Sequence, residues 1–178
     1  MSELDGNLQD WVVTHRFEPL DQFFVALSRL GYGGAIWVLI AVGFAVATRR
    51  PTAAALAAAT IWSADLLALA IKVPVDRPRP FVVDPQPAPL LLGVIGDSFP
   101  SAHAATSFAG ALVLSRWVPG RWPILFGLAL AIAYSRVYVG VHYPGDVLGG
   151  AALGLVVAIA LPRLVAALQR PRPAPPPG

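Results

Sequence analysis

A chain of 178 residues that is 56% apolar and 13% charged is sized for one domain, but is too greasy for an ordinary soluble one, where about a quarter of residues are charged. Its formal charge of +3 is scattered without a basic stripe, which excludes nucleic acid as a partner class. There is no cysteine, so disulfides, thiolate-bound zinc and thiol catalysis are excluded.

Residues 1–30 are polar and mixed, without the basic stretch and apolar run of a signal peptide. Phe23, Phe24, Leu27 and Leu30 recur near helical spacing, which predicts a short amphipathic helix over 20–30 lying at a membrane interface. Five apolar runs follow, at 31–48, 52–71, 100–117, 122–139 and 147–164. Each is near the roughly 20 residues that cross hydrocarbon. None shows the wide polar face of a bundle helix in water. The fold class expected is an all-α membrane protein: about five transmembrane helices plus an N-terminal interfacial helix. Residues 1–168 form one domain, with 1–30 as its interfacial segment and 31–168 as its bundle. The stretch 169–178, with five prolines, cannot form a helix or build a core and is expected to be disordered.

Counting crossings puts the end of the second span, the start of the third, the end of the fourth and the start of the fifth on one face. The opposite face carries Arg49, Arg50, Arg116, Arg121, Arg163, Arg170 and Arg172 and no acid, whereas nine of the ten acids lie on the first. By the positive-inside rule the first face is extracytoplasmic. The preference for arginine, alanine and proline suits a GC-rich bacterial genome, hence a bacterial inner membrane. Trp117 and Trp122 are expected at the inner interface, and Tyr134, Tyr138 and Tyr143 at the outer one.

Three pieces of sequence converge on that outer face: KVPVDRPRP at 72–80, PSAH at 100–103 and SRVYVGVHYPGD at 135–146. Phosphate calls for positioned cations and donors. Arg79 and Arg136 offer planar forks, Lys72 a mobile point charge. Ser101 and the N–H of Ala102 stand at a helix N-terminus, a ready anion site, with Ser98 placed to cap it. His142 and His103 can act as nucleophile and proton donor near neutral pH. Asp146, four residues after His142, can accept from one imidazole nitrogen and leave the other free to attack phosphorus. His103 then protonates the leaving oxygen and later takes a proton from water. Three cations make a metal unnecessary, and no cofactor is expected. A lone membrane histidine is more often a packing residue, and span-end arginines usually snorkel. The three pieces together, on one face, argue against both.

The pieces resemble the signature of the type 2 phosphatidic acid phosphatase superfamily: K-x6-RP, PSGH and SR-x5-H-x3-D. The first and third are complete, the first through Lys72, Arg79 and Pro80, with Arg77-Pro78 repeating the dipeptide two residues early. The second departs once, with Ala102 in place of glycine. The resemblance implies a helical membrane enzyme that removes phosphate from lipid phosphates or pyrophosphates without metal, through a phosphohistidine. It makes His142 the nucleophile, His103 the general acid and Asp146 the partner of His142. Lys72, Arg79, Ser101, Ala102, Ser135 and Arg136 become phosphate ligands. A polyprenyl pyrophosphate is the favoured substrate. Phosphatidic acid, phosphatidylglycerol phosphate or a prenyl-sugar phosphate are the alternatives, and the lipid tail is expected to enter between helices, with Gly/Ala-rich spans such as the fifth allowing close packing or an opening. An anion transporter needs a polar path to the other face, and spans three to five offer almost none. A structural protein carrying a relic motif, and the vanadate haloperoxidases, which are larger and soluble, are also weaker readings. Asp65, the only acid inside a span, is either a packing residue or a relay to Lys72 seven residues on.

Overall fold

In the computed structural model, which describes residues 3–118 and 120–169, the apolar runs fold as helices started where proline permits. The elements are α1 (Glu3–Thr14), α2 (Glu18–Leu30), a 3-10 turn (Tyr32–Gly34), α3 (Ala35–Thr48), α4 (Pro51–Val75), α5 (Pro80–Val83), α6 (Ala102–Ser115), α7 (Trp122–Tyr138) and α8 (Pro144–Leu168). Proline occupies one of the first two positions of α2, α4, α5, α7 and α8, where its missing N–H has no intrahelical partner to lose. Among the described residues there is no strand.

The five expected spans correspond to α3, α4, α6, α7 and α8, but their lengths differ. At 25 residues each, α4 and α8 run about 37 Å and exceed the hydrocarbon thickness of about 30 Å. At 14, 14 and 17 residues, α3, α6 and α7 reach only about 21 to 25 Å. The shortfall in α3 arises because 31–34 bend rather than continue the helix. The segments on either side of that bend meet at 53° and together have the length and composition of one broken span. Glycine is required in the bend: Gly34 sits at φ +70, and a Cβ there would lie 2.5 Å from Ile61. In α6 the helix starts two residues late because 98–101 remain irregular to serve the site.

α6 is the axis of the bundle and packs against α4, α7 and α8. Its small residues Ala104, Ala105, Ala109 and Gly110 are buried and admit close neighbours. Trp37 of α3 is fully buried against Gly110, and its indole N–H donates to Ser107 Oγ at 3.1 Å. Outward, the molecule presents Leu39, Trp62, Leu66, Leu130, Leu148 and Val156 to its surroundings. An apolar exterior over a core of small residues is the pattern of a membrane bundle.

Two expectations need correcting. The N-terminal segment holds two helices, not one. α1 was not anticipated, and α2 packs across the end of α7, with the Phe24 and Tyr138 ring centroids 4.1 Å apart. Tyr138 and Tyr143 are buried rather than interfacial anchors: the Tyr138 hydroxyl donates to Asp21 at 2.8 Å, and the Tyr143 ring lies under Arg77. Of the proline-rich stretch expected to be disordered, 170–178 lie outside the described residues.

Candidate active site

The three sequence pieces meet at one end of the bundle. The last turns of α4 supply Lys72, and the chain then leaves the helix through a left-handed Asp76 (φ 48) to present Arg77 and Arg79. The start of α6 supplies Ser101, Ala102 and His103; the end of α7 supplies Ser135 and Arg136. Gly140, at φ +83, turns the chain after α7 so that His142 faces back. A Cβ at that position would meet the Arg16 guanidinium at 2.6 Å. Asp146 lies in the first turn of α8.

His142 is 2% exposed and Asp146 is fully buried. The imidazole Nδ1 stands 3.4 Å from Asp146 Oδ2, slightly longer than a full hydrogen bond, and Nε2 lies 3.3 Å from Arg79 Nη1. Asp146 is held from several sides. Its Oδ2 accepts the Tyr143 N–H at 2.8 Å and the Ser98 hydroxyl, its Oδ1 accepts Arg77 Nη1 at 2.7 Å, and its carbonyl accepts the Ser101 N–H at 2.9 Å. Burial first, then the Arg136, Arg79 and Lys72 cations, hold the His142 ring well below the ordinary imidazole value. The ring therefore stays neutral at physiological pH, the form that can act as a nucleophile.

Lys72 and Arg79 contact backbone oxygens of the loop 84–101, whose residues 91–96 wall the site. Lys72 Nζ donates to the carbonyls of Asp97 at 2.6 Å and Ser98 at 3.2 Å. Arg79 donates to Gly96 at 2.7 Å, to Ile95 at 3.2 Å and to Val141 at 2.8 Å. Arg136 Nη1 donates to the Ser28 hydroxyl, while its Nε is buried without a protein partner. His103 Nε2 lies 3.1 Å from the Ser28 carbonyl; a carbonyl only accepts, so that nitrogen bears a proton.

A cavity of about 680 Å³ opens here, lined by Lys72, Arg79, Ala102, His103, Arg136 and His142. Its remaining walls come from Ser28, Arg29 and Tyr32, from Leu69 of α4 and from 91–96. Three of the anticipated groups do not line it. Asp146 stands behind His142. The Ser135 hydroxyl donates to Ile132 O at 2.6 Å within its own helix, and the Ser101 hydroxyl is buried without a partner. Of the two roles expected of the Gly/Ala-rich α8, it takes close packing, with Gly150 and Gly154 against the backbone of Ser101 and of α6, and it does not line the cavity.

The sequence reading passed over Ser28, Arg77 and the true role of Ser98. Ser98 caps no helix: α6 begins at Ala102 after Ser101, with no side-chain cap, and the Ser98 hydroxyl serves Asp146. Arg77 was visible as the repeated Arg-Pro but lay off the motif spacing. Ser28 carried no signal at all. Asp65 is half-buried on α4, seven residues before Lys72.

Comparison with known proteins places these features in context. A family model described as the PAP2 superfamily matches residues 52–170. The decaprenylphosphoryl-5-phosphoribose phosphatase of Mycobacterium tuberculosis is 36% identical over 152 residues, covering 82% of this chain and 81% of that protein. LpxE of Aquifex aeolicus superposes with a TM-score of 0.76 at 30% identity, over 88% of this chain and 93% of that one. The transmembrane PAP2-type phosphatidylglycerolphosphate phosphatase of Bacillus subtilis superposes with a TM-score of 0.75 at 26% identity, over 95% and 88%.

Proposed function

We propose, since this chain belongs to the PAP2 superfamily, that it is an integral-membrane lipid phosphatase working through a phosphohistidine on His142. One observation carries the reading. A neutral, buried histidine stands between a carboxylate and a guanidinium, at 3.4 and 3.3 Å, on the wall of a cavity with three cations and a second histidine.

In this reading the substrate phosphate exchanges places with the loop carbonyls around Lys72 and Arg79 and takes the free Nε–H of Arg136. The His142 Nε2 lone pair attacks phosphorus, and the bond to the leaving oxygen breaks. Asp146 keeps the proton on Nδ1 and stabilises the ring as it gains charge. His103 enters the step as the imidazolium, gives its second ring proton to the leaving oxygen and is left neutral, keeping at Nε2 the proton that rests against Ser28 O. In the second half a water attacks the phosphohistidine, His103 takes its proton, the N–P bond breaks and inorganic phosphate leaves. The Ala102 N–H adds a donor at the start of α6, and Ser101 and Ser135 shape the backbone that carries the cations.

The lipid we propose is a polyprenyl carrier bearing pyrophosphate, acted on at the outer face of a bacterial inner membrane. The arginines of the opposite face support that orientation. The cavity walls of Tyr32, Leu69 and 91–96 support entry of the tail from the side, between α2, α4 and the loop. A phosphate on a prenyl-linked sugar is the second reading, favoured by the likeness to the mycobacterial enzyme. The test is phosphate release by purified protein in detergent with EDTA present, from a polyprenyl pyrophosphate, a prenyl-sugar phosphate, phosphatidic acid and phosphatidylglycerol phosphate. We expect release from a polyprenyl substrate that vanishes in His142→Ala. Release that survives that substitution, or that stops in EDTA, overturns the mechanism.

A further inference from the structure

One carboxylate of α1 reaches the active site from the far end of the chain. Asp5 Oδ1 accepts the N–H of Gly145, in the first turn of α8, at 2.7 Å. Asp5 Oδ2 accepts Arg77 Nη2 at 2.5 Å. The other terminal nitrogen of the same guanidinium, Nη1, donates to Asp146 Oδ1 at 2.7 Å. The guanidinium also lies over the Tyr143 ring, 4.3 Å from its centroid. Arg77 is therefore a flat bridge between two carboxylates, clamped on its face by an aromatic ring.

The two oxygens of Asp146 divide their work. Oδ2 faces His142 and takes Ser98 and the Tyr143 N–H, whereas Oδ1 takes Arg77. A guanidinium anchored by a second carboxylate and an aromatic ring holds the one oxygen that it touches in place, and with Oδ2 held by Ser98 and the Tyr143 N–H this fixes the carboxylate plane. Without Arg77, Oδ1 would be a fully buried charge lacking its partner, and the carboxylate would rotate to find another. Without Asp5, the guanidinium would lose its second anchor. Neither residue lines the catalytic cavity.

We propose that Asp5 and Arg77 are positioning residues for the phosphatase reaction. The chain Asp5–Arg77–Asp146 sets the plane of the carboxylate that aims His142, so the N-terminal helix is part of the catalytic scaffold. This rests on the function proposed above, with His142 as nucleophile and Asp146 as its partner.

The experiment measures kcat and KM for phosphate release from a polyprenyl pyrophosphate, with full-length protein in detergent and a thermal transition recorded for each form. Wild type and His142→Ala are compared with Asp5→Asn, Arg77→Gln, Arg77→Lys and the double variant Asp5→Asn/Arg77→Gln. A misaimed nucleophile costs roughly 10- to 100-fold in rate, so each of Asp5→Asn and Arg77→Gln should lower kcat by about that factor with KM within about twofold. The double variant should be no slower than the slower single one, because both act through one chain of contacts. Arg77→Lys keeps the charge, bridges only one carboxylate at a time and should fall between. Should Arg77→Gln fail to fold, Asp5→Asn carries the test, since Asp5 does not touch Asp146. Should that fail as well, Asp5→Glu keeps the charge and should fold with kcat lowered. Full kcat in a folded Asp5 variant, or a rise in KM with kcat unchanged, overturns the proposal. Equal release by wild type and His142→Ala would overturn the proposed function instead, a result that the Asp5 variants cannot produce.

Discussion

As the nucleophile we propose, His142 has to be neutral to attack and oriented to attack productively, and two sets of neighbours meet these demands. The surrounding cations and burial hold its proton affinity down, while Asp146 holds its direction. His142→Ala should reduce turnover by about 10³-fold or more while leaving the thermal transition in place, as loss of a nucleophile does. His103→Ala should cost about 10²- to 10⁴-fold with a lipid leaving group, and much less with p-nitrophenyl phosphate, whose leaving oxygen needs no proton. The folded value of His142 lies below the unfolded one of about 6.5, so as pH falls below that point the unfolded chain takes the proton first. Stability from this group is complete above about pH 6.5 and is lost progressively below it. The acid limb of kcat/KM set by this residue should likewise lie below about 6.5, which a pH–rate profile checks. At this scale the sequence was legible where chemistry repeats at fixed spacing: Lys72, Arg79, His103, Arg136, His142 and Asp146 gather at one end of the bundle. It was silent on Ser28, because a serine hydroxyl and carbonyl acquire their partners only through the way α2 lies across α7. Arg77 was discounted because spacing along the chain says nothing about which of two adjacent arginines faces a buried carboxylate.

Among the elements, α6 and α8 form the contact on which the site depends. A Cβ on Gly150 would lie 2.2 Å from the Ser101 carbonyl oxygen, and one on Gly154 would lie 2.1 Å from that of Ala105. Both obstacles are backbone and cannot swing aside. Gly154→Ala should therefore destabilise the bundle by about 1 to 3 kcal/mol, read as a lower thermal midpoint in detergent. Gly150→Ala should also cut activity, because it pushes on the residue whose N–H is tied to Asp146. The apolar runs announced all five helices of the bundle, because continuous hydrophobicity is a strong signal. What they could not announce was where α3 and α6 begin. Those boundaries are set by a glycine bend and by the contacts of 98–101 with Asp146 and Lys72, both of them tertiary. α1 was missed for the same reason: Leu4, Leu8 and Trp11 are exposed, and the helix is anchored by Gln9, Val13 and Asp5 rather than by an apolar stripe.

The whole molecule divides its charge between two ends, and the absence of native cysteine makes that division easy to test. Asp84→Cys, exposed on the site side, should react with a membrane-impermeant maleimide in intact cells, and Arg50→Cys, exposed on the other side, should react only after lysis. The reverse pattern would place the site in the cytoplasm. The bond between Asp5 and Gly145 spans 140 positions, and it also bears on how the protein is made. As the chain emerges from the ribosome, Asp5, Lys72 and Arg79 are made well before His142 and Asp146. A partly synthesised chain thus holds Lys72 and Arg79 before the nucleophile we propose. On that proposal, hydrolytic power arrives in one step, when α8 takes its place and Asp5 meets Gly145.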